Sequence, residues 1–180
     1  MTKLRIGIIG CGEVAQVIHL PSLHQLGDLF TVTALCDMSS TVLQAVGDQW
    51  NVEDRYSNEL DLITRAAVDA VLVANPDAYH ASTVLAAMAA GKHVLVEKPM
   101  CISLAEADAI ISAQAQTGVT VQVGYMRRYA PAFVEACRLL PELGPVRLAR
   151  AHAVIGGNPL FIQGTSRVVR GDDIPAAALR

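Results

Sequence analysis

"IGIIGCGEVAQ", residues 6–16, decides how the whole chain is read. An isoleucine-rich run too short for a helix meets two glycines and then a stretch with helical spacing. Strand, glycine turn and helix in that order place Gly10, Gly12 and Ala15 in a G-x-G-x-x-A pattern. Gly10 permits a tight turn, Gly12 lets the backbone approach a pyrophosphate, and small Ala15 lets helix and strand pack closely. The N–H groups of Gly12, Glu13 and Val14, at the positive end of a helix dipole, then form an anion site. Glu13 is awkward beside a phosphate, so its side chain is expected to point to solvent. Glycine turns after strands also occur without a ligand; the force of this one comes from its context.

That context is a chain that alternates short apolar runs with segments of helical period, the pattern of a parallel sheet built from strand-helix-strand units. The runs predict strands at 4–9, 30–36, 70–74, 93–97 and 119–124, with helices at 13–26, 40–50, 58–67, 80–90 and 103–116. Gly27, Gly91 and Gly118 fall just past helix ends. Ser103 and Glu106 make an S-x-x-E capping box ahead of Leu104, Ala107, Ile110 and Ile111, which share one helical face. Pro21 is discordant inside the first helix, which is expected to kink or end near His19. The 52% hydrophobic content with only 4% aromatic suits Val-, Ile- and Ala-rich strands covered by helices on both faces. The expected fold class is therefore α/β, a Rossmann-type doubly wound parallel sheet over residues 1–124.

Composition removes several functions. A net charge of −3 without any basic stripe argues against nucleic acid as a partner. No apolar run is long enough for a membrane span or a signal peptide, so the expectation is a soluble cytoplasmic protein. Cys11, Cys36, Cys101 and Cys137 contain no C-x-x-C pair, which disfavours zinc and gives no metal site.

Three strand ends carry the remaining chemistry. Asp37 closes the second strand about 25 residues past the glycines, where an acidic side chain accepts the adenosine ribose hydroxyls and repels a 2′-phosphate. No Arg or Lys follows before Arg55, so NAD is favoured over NADP; the bland alternative is a turn or cap residue before Ser39. Asn75-Pro76 ends the strand near 70–74 and reads either as a turn or as part of the ligand crevice. Glu97, Lys98 and Pro99 end the next one. A lysine flanked by apolar sequence is open to partial desolvation, which would lower its pKa. A plain salt bridge at a strand end is the other reading.

"VLVANPDAYHASTVLAAMAAGKHVLVEKPMCISLAEAD" followed by "VQVGYMRRYAPAF" resembles the glucose-fructose oxidoreductase and inositol dehydrogenase family, Gfo/Idh/MocA, over residues 3 to about 155. The resemblance implies a Rossmann domain, then an α/β domain with a large open sheet, and reversible hydride transfer between NAD(P) and a secondary alcohol of a sugar or cyclitol. By position it puts Glu97 near the nicotinamide ribose, Lys98 as the catalytic residue on the reacting hydroxyl, and Pro99 in a cis turn. Asn75 and His80 would border the cofactor, His80 serving equally well as a packing residue. Arg127 would face the cleft, with Arg128 solvated. The family's second-domain Asp followed by a proton-transferring His is not matched: no D-x-x-x-H arrangement follows "AHAVIGGNPL".

Residues 125–180 read as the incomplete start of the second domain. A helix at 131–140, a Gly-Pro turn, a strand at 146–155 and a helix opening around Pro175, capped by Asp172 or Asp173, are expected. A strand cut off from its sheet would leave an unpaired edge, so a homo-oligomer is expected. The leading reading is the cofactor-binding portion of an NAD-dependent sugar or polyol dehydrogenase. The alternative from another class is a non-catalytic nucleotide-binding module acting as a sensor or assembly partner.

Overall fold

A computed structural model describes residues 2–152 and 158–174. Six parallel strands form one sheet: β1 (Leu4–Ile9), β2 (Phe30–Cys36), β3 (Asp54–Tyr56), β4 (Ala70–Val73), β5 (His93–Val96) and β6 (Val121–Val123). Their spatial order is β3-β2-β1-β4-β5-β6, the doubly wound arrangement of a Rossmann domain. Strand order reverses between β1 and β4, and the crevice beyond their carboxyl ends is where such sheets bind ligands.

Burial on both faces fixes this topology. Every residue of β4 is buried, and alternate residues feed opposite sides of the sheet. Val71 and Val73 join Leu62, Val84, Met88 and Ile110 in one core; Ala70 and Leu72 join Ala15, Leu20, Leu43 and Val46 in the other. The first helix of the chain departs from α-helical register. Residues Ala15–His19 form a π-helical turn, closed by the Leu20 N–H donating to Ala15 O, before α1 (Leu20–Gln25) resumes with Pro21 in its first turn. A proline has no N–H to give to the preceding turn, and the wider π turn absorbs that loss without ending the helix. The expected break at His19 is thus a change of register.

The remaining helices follow their caps. Ser39 accepts from Val42 N at the start of α2 (Ser40–Trp50), and Asn58 accepts from Leu60 N at the start of α3 (Glu59–Arg65). Pro76 precedes α4 (Asp77–Ala89). At α5 (Leu104–Thr117) the Ser103 and Glu106 capping box forms in full, and Gly118 ends the helix at φ +68°. β3 escaped the sequence pattern because it is three residues long and opens on two charged side chains.

Beyond β6 the chain runs through a 3₁₀ turn (Met126–Tyr129), α6 (Pro131–Leu139), a second 3₁₀ turn (Leu140–Leu143) and α7 (Asn158–Thr165). The expected strand at 146–155 is not formed over 146–152, which pair with no other strand; alternation alone does not make a strand without a neighbour to receive its hydrogen bonds. Its last residues, and the helix expected from Pro175, lie outside the described residues.

Candidate cofactor site

The glycine turn sits at the switch point. Gly10 has φ +92°, and its N–H donates to Cys36 O at 2.8 Å. A Cβ there would lie 2.5 Å from the backbone of Ala74 and Asn75. Gly10 is therefore required by backbone conformation and by the closeness of β4's end. Gly12 differs: a Cβ on it would meet nothing within 4 Å, so the space above it is open for a ligand. The first helical hydrogen bond runs from Gln16 N to Gly12 O, leaving the amides of Gly12, Glu13 and Val14 ahead of the ladder as donors.

Asp37 is joined to that turn. Its Oδ2 accepts from Cys11 N and its Oδ1 from Ser39 N, both at 2.8 Å. Each carboxylate oxygen has a further lone pair for a ribose hydroxyl. Below the turn, Cys11 and Cys36 are buried. Burial is the main cause that pushes the Cys36 thiol up to about 12 and the Cys11 thiol higher still, so neither is a nucleophile at neutral pH.

Across the crevice, Asn75 and the Glu97 to Pro99 turn are tied together by His80. The ring is 1% exposed; Nδ1 lies 2.6 Å from Pro99 O and Nε2 2.8 Å from Asn75 O. His80 is thus a packing residue that holds the two loops, and the Lys98-Pro99 bond is cis. Asn75 Nδ2 donates to Thr83 Oγ1 at 3.0 Å, while Asn75 Oδ1 is buried with no partner among the described residues. An acceptor left over at the switch point, beside an open glycine turn and a ribose-type carboxylate, fits a dinucleotide.

Neither sequence reading of the β5 end, a partly desolvated lysine or a Glu97–Lys98 salt bridge, is what the structure has. Glu97 makes no ion pair with the Lys98 ammonium; its Oε1 lies 2.8 Å from Nε2 of His19, and its Oε2 accepts from the Lys98 backbone N–H at 3.1 Å. Lys98 is exposed rather than partly desolvated. His19 went unnoticed in the sequence, because the π turn that aims it at Glu97 78 positions away leaves no local signature beyond Pro21.

Glu13 also departs from expectation. Its Oε2 is 2.5 Å from Arg170 Nη2, so it is paired and not free in solvent. The same distant segment reaches Gln16, whose amide exchanges two hydrogen bonds with the Val169 backbone at 2.9 and 2.8 Å. Asp173 Oδ1 lies 2.5 Å from Ser39 Oγ, and its Oδ2 accepts from Ser40 Oγ at 2.8 Å and Thr41 N at 3.1 Å. The hydrogen bond from Ser39, with those from Ser40 and Thr41, holds the Asp173 carboxyl well below the usual carboxylate range. Arg127 is brought to none of these groups. It is exposed in the turn after β6 and has no side-chain partner among the described residues, whereas Arg128, with Tyr125 and Tyr129, lines a groove beside β6. Among the described residues no group of His, Cys, Asp and Glu is placed to hold a metal, and no helix is long and apolar enough to cross a membrane.

Fold and site together define a dinucleotide-binding domain of the Rossmann type. The chain belongs to the Gfo/Idh/MocA oxidoreductase family with an NAD-binding Rossmann fold, whose model matches residues 4–125. It is 32% identical over 168 residues to an uncharacterized oxidoreductase, YrbE, of Bacillus subtilis, covering 93% of this chain and 46% of that protein. It is 36% identical over 141 residues to an inositol 2-dehydrogenase/D-chiro-inositol 3-dehydrogenase of Halalkalibacterium halodurans, covering 77% of this chain and 40% of that one. Among solved structures, scyllo-inositol dehydrogenase of Lactobacillus casei with bound NAD(H) and scyllo-inositol aligns with a TM-score of 0.73 and 25% identity, over 78% of this chain and 42% of that one. The chain spans about half the length of the curated relatives it matches.

Proposed function

We propose that this chain is the cofactor-binding portion of an oxidoreductase that moves a hydride between NAD and a secondary alcohol of a sugar or cyclitol. Residues 1–124 are the cofactor domain, and 125–180 begin a substrate and oligomerisation domain of a cytoplasmic homo-oligomer. The observation that carries the reading is the Asp37 carboxylate bonded to Cys11 N beside the open space over Gly12.

In this reading the amides of Gly12, Glu13 and Val14 bind the pyrophosphate, and Asp37 accepts the adenosine ribose hydroxyls. Asn75 and the His80-fastened turn wall the nicotinamide end. Glu97, held by His19, receives the second ribose. The exposed Lys98 ammonium donates to the substrate oxygen, an interaction that strengthens as negative charge develops there. A nicotinamide held there would supply the hydride acceptor or donor.

Fluorescence titration tests the proposal: NADH should bind the 180-residue chain more tightly than NADPH, and Asp37→Ser should narrow the gap. Equal or tighter NADPH binding overturns the role of Asp37. Because this sequence has no D-x-x-x-H arrangement, the chain should bind NAD yet oxidise inositol and glucose negligibly, general acid/base catalysis contributing about 100 to 10,000-fold in rate. Ordinary enzymatic turnover would place a proton acceptor inside it. Light scattering checks the oligomer, a clean monomer counting against it.

A further inference from the structure

The segment Val169–Asp173 crosses more than 130 positions of sequence to lie on the rim of the adenosine end, where Val169 packs against the core and a set of specific polar contacts fixes the rest. The Gln16 amide clamps Val169 by two hydrogen bonds. Gly171 lies against Ser39 Oγ with no room for a side chain. Asp173 then places its carboxylate on three donors at the start of α2: the hydroxyls of Ser39 and Ser40 and the amide of Thr41.

Ser39 is the hinge of the arrangement. It is fully buried, its N–H donates to Asp37 and its hydroxyl to Asp173. One residue thereby holds two carboxylates from opposite ends of the chain. Two hydroxyls and a helix-terminal amide are the donor set that would otherwise suit a phosphate. They lie just past the residue that takes the ribose, where a 2′-phosphate would come.

We propose that Asp173 is a specificity-determining residue, an internal carboxylate that fills the anion site at the start of α2 and thereby excludes NADP. The proposal rests on the reading that Asp37 holds the adenosine ribose. A 2′-phosphate brings a charge of about −1.5 to −2 at neutral pH and would have to displace Asp173 or sit against it. The neighbouring cations offer no relief: Arg170 is engaged by Glu13, and Arg55 by Asp48 and Val52 O. Asp37 alone would repel the phosphate; Asp173 also removes the donors that could receive it.

The test is NADH and NADPH titration of the full 180-residue chain as wild type, Asp173→Asn, Asp37→Ser and the double variant, each with its Tm. Asp173→Asn removes the charge, keeps one acceptor oxygen for Ser40 Oγ and Thr41 N, and turns its NH2 towards Ser39 Oγ, which can accept from it; the Tm shows whether the tether is retained. This variant should tighten NADPH binding about tenfold or more while NADH changes about twofold or less, since opposed like charges are a strong source of discrimination. Asp37→Ser alone should leave NADPH the weaker ligand, and the double variant should reverse the order. NADH and NADPH shifting together, or an unmoved NADPH affinity, overturns the role of Asp173 while leaving the cofactor site standing. Failure of the wild type to bind either dinucleotide overturns both.

Discussion

Gly10 and Gly12 stand two residues apart in one motif, yet their surroundings differ, crowded at Gly10 and open at Gly12, and alanine at each separates the turn from the proposed ligand space. At Gly10 the added methyl carbon would be 2.5 Å from the Ala74 and Asn75 backbone, on a residue held at φ +92°. A side chain in the left-handed region costs about 1–3 kcal/mol, and forcing apart a packed contact about 1–3 more. Taking about 3–4 kcal/mol as the sum, Gly10→Ala should lower Tm by roughly 10 °C for a chain of this size. At Gly12 the methyl meets nothing within 4 Å, and Gly12 is not among the positive-φ residues. Gly12→Ala should fold as well as wild type, or better by about 0.4–1 kcal/mol through the stiffer unfolded chain. Its methyl would instead occupy the space an approaching phosphate needs. Losing one or two charge-assisted backbone hydrogen bonds, about 1.5–3 kcal/mol each, weakens NADH by about tenfold to more than a hundredfold. Thermal denaturation and NADH fluorescence titration on both variants suffice. A Gly12→Ala protein that binds NADH like wild type, or a Gly10→Ala protein that melts with it, refutes the assignment of turn and ligand space.

Other outcomes follow from contacts elsewhere. Ser103→Ala removes the acceptor for Glu106 N and half of the capping box, and should cost about 1 kcal/mol, seen as a shift in the chemical denaturation midpoint without a change in slope. Iodoacetamide at pH 8 should label exposed Cys137 quickly and leave Cys11 and Cys36 unmodified until the chain unfolds, as read by peptide mass spectrometry. Asp69, held below the usual carboxylate range chiefly by the Arg5 guanidinium, contributes stability that is present above its unfolded value near about 3.9 and is lost as pH falls below it. The Tm gap between wild type and Asp69→Asn should therefore be constant above about pH 5 and close in stronger acid.

What the sequence disclosed and what it hid divide along chain separation. The glycine turn, the α5 capping box and the strand runs are local patterns, in which a few neighbouring residues determine the backbone, and the structure places them as expected. The place of Asp37 beside the glycine turn was legible because its spacing from the glycines is set by one helix and one strand. The partners of Glu97, Glu13 and Ser39 were not, since His19, Arg170 and Asp173 reach them across 78, 157 and 134 positions. No periodicity encodes such pairings. β3 was missed for the opposite reason: three edge residues carry too little pattern to register. The alternating stretch at 146–152 carried the pattern but lacks a neighbouring strand.

The central place of β1 has a consequence for how the chain acquires this shape. β1 is made before both of its neighbours, β2 and β4, and the Gly10 turn rests against Ala74 and Asn75. During synthesis the cofactor loop therefore has no seat until residue 75 has left the ribosome. Closing a parallel pair over so long a stretch is slow compared with forming a hairpin. For that interval the run Ile6, Ile8 and Ile9, which ends with almost no exposed surface, is an uncovered apolar strand. Nascent chains stalled before β4 should bind holdase chaperones, and those extending past α4 should release them.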